Sequence, residues 1–99
     1  MAAVAVRCEG TRSDGWTCTV TLREGGLDIS THRVRVWAND LARLAPVASE
    51  PTLLVKTSFQ FLLERESPQM ILKVFDLGDI ARYFPEYEPD IRRRMRGLS

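Results

Sequence analysis

The chain has 99 residues, 44% hydrophobic and 27% charged, which are the proportions of an ordinary globular domain with one core. Its 14 Lys and Arg nearly balance 13 Asp and Glu, so a net charge of +1 gives no general drive toward nucleic acid or an anionic membrane. No apolar run approaches the ~20 residues that cross a bilayer. The opening residues MAAVAVRCEG have neither a basic start nor a long apolar middle, so no signal peptide is read and the cytoplasm is the default location.

Val4, Val6 and Cys8 alternate with Ala5, Arg7 and Glu9, the period of a half-buried strand. The turn formers of residues 10–15 (GTRSDG) follow. Trp16, Cys18, Val20 and Leu22 then alternate with Thr17, Thr19 and Thr21, and β-branched threonine suits an open sheet face. Glu24-Gly25-Gly26 breaks that run. LDIS leads into a third strand around residues 31–37, with His32, Val34 and Val36 on one face and Arg33, Arg35 and Trp37 on the other. Connections this short favour an antiparallel three-stranded meander, open to water on its Arg and Thr face.

Cys8 and Cys18 both fall on the inward side. In a reducing compartment they are expected to be a buried, reduced pair rather than a disulfide. With His32 they make too few ligands, at the wrong spacing, for a zinc site.

Asn39 or Asp40 can cap a short helix over residues 41–44, ended by Pro46. The organising element is residues 49–66, SEPTLLVKTSFQFLLERE, read as one long helix. Ser49 and Pro51 suit its first turn, and Ser67-Pro68 stops it. Leu54, Val55, Phe59, Phe61, Leu62 and Leu63 cover roughly 200° of its circumference at about 100° per residue. An ordinary surface helix needs little more than 100°. This helix therefore requires two partners, a sheet on one flank and a second helical layer on the other.

Beyond it, Ser67-Pro68 also opens a short amphipathic turn carrying Met70, Ile71, Val74 and Phe75. Asp76 caps a helix with Leu77, Ile80, Ala81 and Phe84, ended by Pro85. Glu88-Pro89-Asp90 starts a last helix with acids first and arginines late, as the helix dipole favours. The fold class is α+β: a three-stranded antiparallel meander (residues 1–38) packed on a long central helix, with short C-terminal helices (residues 39–99), in one domain.

No catalytic arrangement stands out, and no cofactor or metal is implied. His32 sits in mid-strand, Ser58 and Ser67 read as surface and capping serines, and Gly25-Gly26 is a turn without a phosphate-loop motif. RYFPEYEPD concentrates aromatic residues between prolines. Tyr83, Phe84 and Tyr87 either close the core or anchor a partner protein, and Trp37 has the same two readings. The preferred function is a non-enzymatic domain acting through protein contacts, as an accessory subunit or a homodimer. The alternative is DNA binding by a helix-turn-helix-like segment (residues 76–96) through Arg92, Arg93 and Arg96. Pro85 at the turn and Glu86, Glu88 and Asp90 beside it oppose that alternative, because acids repel phosphates. A β-meander followed by FLLERES and RYFPEYE resembles a group of short bacterial proteins of unassigned function. The resemblance spans nearly the whole chain and implies a shared fold without an activity.

Overall fold

The computed structural model describes residues 2–98. Three long strands, β1 (Ala3–Thr11), β2 (Gly15–Glu24) and β3 (Leu27–Val36), form two successive antiparallel hairpins. The β2–β3 turn is the two-residue Gly25-Gly26, both at positive φ (58° and 82°), the hairpin geometry that glycine adopts without a steric penalty. Gly15, at φ 78°, closes the three-residue β1–β2 loop. A Cβ there would lie 2.8 Å from the Trp37 ring, so the position needs glycine for its conformation and for its packing.

The sheet has a fourth strand. β4 (Val74–Asp76) pairs in parallel with β3, at Arg33↔Val74, Val34↔Phe75 and Arg35↔Asp76, giving the order β1-β2-β3-β4. The three-stranded expectation is corrected accordingly, and Val74 and Phe75 belong to a strand rather than to a helical turn. The helices are α1 (Ala38–Leu44), α2 (Thr52–Leu63), α3 (Ile80–Tyr83) and α4 (Tyr87–Leu98), with 3₁₀ turns at Pro68–Met70 and Leu77–Asp79.

The central helix is shorter than expected. Ser49 does not cap it; the Glu50 carboxylate accepts the Thr52 N–H at 3.1 Å instead, and the first helical bond runs from Val55 N–H to the buried Pro51 carbonyl at 2.9 Å. At the other end the bonding tightens to a three-residue spacing, with Glu64 and Arg65 donating to Phe61 and Leu62. Asp40 stands within α1 rather than before it. Its carboxylate reaches back to the Trp37 N–H at 2.9 Å, satisfying an amide that the first turn leaves open.

The two-flank requirement of α2 is met by the sheet and α4. Phe59 faces the sheet side, its ring 5.4 Å from that of His32 and 6.0 Å from that of Phe75. Phe61 faces the C-terminal layer, edge-on to Phe84 at 5.9 Å and to Tyr87 at 5.3 Å. Thr57, expected on the polar face, is buried and donates to the Leu53 carbonyl at 2.8 Å. Three ion pairs tie α4 and the residue before it to α1 and to the two residues that follow α2: Arg43–Glu88 at 3.1 Å, Arg65–Glu86 at 3.0 Å and Arg94–Glu64 at 2.7 Å.

Cys8 and Cys18 are joined in a disulfide, which corrects the reduced-pair expectation. The register puts the two residues directly opposite each other on adjacent strands, with Cα atoms 4.0 Å apart. Among the described residues no helix is long and apolar enough to cross a membrane.

Candidate functional site

A cleft of about 240 Å³ opens where the end of α2, the connection into β4, and α3 converge. Its apolar lining is Leu62, Met70, Ile71, Leu72, Phe75, Ile80, Tyr83 and Phe84, with Glu66 and Asp79 as its acidic members. The sequence explains why these residues meet. Ser67-Pro68 redirects the chain out of α2 into a 3₁₀ turn in which no side chain is buried, so Met70 stays outside. Ile71 alone then dips into the core, and β4 sets Phe75 beside Val34 on the inner side of the sheet. The 3₁₀ turn over Leu77–Asp79 buries Leu77 and carries the chain into α3, whose single helical turn buries Ile80 and leaves Tyr83 outside.

His32 holds the wall of this cleft in place. It is buried on β3, and its Nδ1 lies 2.7 Å from the Leu72 carbonyl while its Nε2 lies 2.9 Å from the Ser30 hydroxyl. A carbonyl can only accept, so Nδ1 carries the proton and Nε2 of the neutral ring accepts from Ser30. Desolvation pushes the His32 pKa below its usual value, against the raising effect of the Leu72 hydrogen bond. The next residue adds a backbone tie, Arg33 N–H to the Lys73 carbonyl at 2.7 Å. Both bonds anchor residues 72 and 73, from which the exposed Leu72 side chain projects, two residues beyond the exposed Met70. His32 is thus a structural pin with both ring nitrogens engaged.

The aromatic residues singled out from the sequence separate into three environments. Tyr83 is 66% exposed on the cleft rim, and Phe84 is half-buried in the lining with one side against Phe61. Tyr87 is fully buried and belongs to the core, so its ring offers nothing to a partner in this state. Its hydroxyl lies 2.7 Å from Ser58 Oγ, which itself donates to the Leu54 carbonyl at 2.8 Å. Burial pushes the phenol pKa well above its ordinary value. Ser58, expected at the surface, is therefore the acceptor for a buried phenol. Trp37 does not line the cleft; its half-exposed ring packs on Gly15 and beneath the Arg35 guanidinium, 4.2 Å from the ring centroid.

The arginines of the DNA alternative stand on α4 beside carboxylates. Arg92 is 3.7 Å from Glu88, and Arg93 pairs with Asp90 one turn earlier. Arg96 lies on the exposed side of the last turn. The helix expected to precede them is one α turn, too short to serve as the first helix of a helix-turn-helix pair, and Tyr87, Ile91 and Met95 commit the inner face of α4 to the core. Among the described residues no group of three or more His, Cys, Asp or Glu side chains is placed to hold a metal ion.

The sequence does not announce the cleft, because Leu62 and Glu66 at the end of α2 are far from Tyr83 and Phe84 in the chain and the short β4 that completes the wall has no readable period. The exposed Met70 and Leu72 were the available signal. No protein-family model, curated protein or solved structure matches the chain, so the functional reading rests on this geometry.

Proposed function

We propose that this protein is a non-enzymatic interaction domain that docks another protein on the face around the Tyr83–Phe84 cleft. The observation that carries the reading is the concentration of large apolar side chains left in water there: Met70 at 69%, Leu72 at 54% and Tyr83 at 66% exposure ring a concave apolar floor. Contiguous exposed apolar surface of this kind has a hydration cost that a partner relieves. Aromatic residues and methionine are also the types enriched where proteins touch.

Photo-cross-linking tests this. A photoreactive phenylalanine analogue replaces Tyr83 in one variant and Lys56, on the exposed side of α2, in another. Discrete adducts in cells from position 83 and none from position 56 are the expected result. Equal labelling from both positions, or none from either, refutes the proposal.

A further inference from the structure

We infer that the occupant of the cleft is a peptide segment of a partner protein that inserts one bulky apolar side chain and carries a lysine or arginine beside it. The inference rests on the contact reading above and adds the chemistry of the ligand. Volume supplies the first argument. About 240 Å³ lies below the roughly 300–1,000 Å³ of small-molecule sites, so the space suits an anchor side chain rather than a whole cofactor.

Charge supplies the second. Glu66 lies in the lining, is partly buried, and forms no ion pair with any described residue; its neighbours Glu64 and Arg65 are engaged with Arg94 and Glu86 instead. Among the described residues, Asp79 has one cationic partner, the well-exposed Arg82 at 3.7 Å. Lys73 and Arg82, the nearby cations, are not part of the lining. A purely apolar occupant would strip water from these two carboxylates and return nothing for it. An occupant that brings a cation next to its apolar anchor removes that penalty, and an acidic one increases it. Two carboxylates flanking an apolar floor thus select for the sign of the neighbouring charge.

The test pans a phage-displayed random peptide library on the immobilised full chain. The expected outcome is enrichment of sequences with an aromatic or long aliphatic residue within two positions of Lys or Arg. A synthetic peptide of that kind should bind in fluorescence polarisation and lose about tenfold in affinity to the doubly reversed variant Glu66→Lys/Asp79→Lys. An acidic counterpart should gain on the same variant, and thermal melting confirms that the variant is folded. Peptides enriched without a basic residue, or indifferent to the reversal, overturn the inference and leave the contact face standing if Tyr83→Ala still weakens them. Absence of any enrichment overturns it as well, and cross-links from position 83 then show whether the contact reading survives. Light scattering that finds a dimer dispersed by Tyr83→Ala assigns the cleft to a second copy and also overturns the inference.

Discussion

Removing either half of the Ser58–Tyr87 hydrogen bond should have unequal consequences. Both residues are fully buried, and the bonds run in one direction: phenol to Ser58 Oγ, and Ser58 hydroxyl to the Leu54 carbonyl. In Tyr87→Phe the serine keeps its own acceptor, so the loss is that of one ordinary hydrogen bond, about 0.5–1.5 kcal/mol. In Ser58→Ala the phenol keeps its proton, because burial raises its pKa, and loses its acceptor at a fully buried position. Stranding that donor costs about 1–3 kcal/mol. Once Phe occupies position 87, Ser58→Ala strands nothing, and alanine's higher helix propensity offsets the lost bond to Leu54. The double variant should therefore be close to Tyr87→Phe alone. Urea denaturation of all four proteins measures the cycle, with a coupling equal to the Ser58→Ala cost, about 1–3 kcal/mol, expected for groups in direct contact. Additive losses would refute the assigned direction of the bond.

Phe59→Ala, which removes the ring seated between His32 and Phe75, should cost about 3–5 kcal/mol of a total near 5–15 kcal/mol, and an unchanged thermal midpoint would place Phe59 outside the core. Replacing both Cys8 and Cys18 by serine releases a loop with a sequence separation of 10, which by chain entropy lowers stability by about 2.7 kcal/mol. The melting temperature should then fall by roughly 10–20 °C, whereas reductant should leave the serine variant unaffected. His32 has a folded-state pKa below its ordinary 6.5, so the unfolded chain binds its proton first. Its contribution to stability is complete above pH 6.5 and declines as the pH falls below that value. Urea melts at pH 7.5 and 5.5 should differ more for wild type than for His32→Asn, and equal differences would show that His32 is not the group responsible.

The first two strands were legible because each keeps strict alternation over most of its length. The start of β3 was not. A register shift between Leu22 and Arg23 displaces the pairing, and the polar Ser30 turns inward because His32 offers it a partner. β4 is three residues long, too short to display any period, and it exists because β3 has an edge to offer. The double-sided burial of α2 was visible as a wide apolar arc, but its ends were not, since Glu50 rather than Ser49 accepts the Thr52 amide. Ser58 could have been found from spacing alone. It lies four residues from both Leu54 and Leu62 and therefore shares their face. Tyr83 and Tyr87 flank the same proline with opposite fates, and only the packing of α4 on α2 decides between them.

The four strands reach the sheet by unequal routes. Loops of three and two residues deliver β1 to β3, while β4 returns after the whole of α1 and α2. Closing that long excursion carries a larger entropic cost, so the hairpins can assemble early and β4 joins late. The wall bearing Met70 and Leu72 thus hangs on the sheet pairing with the longest loop to close.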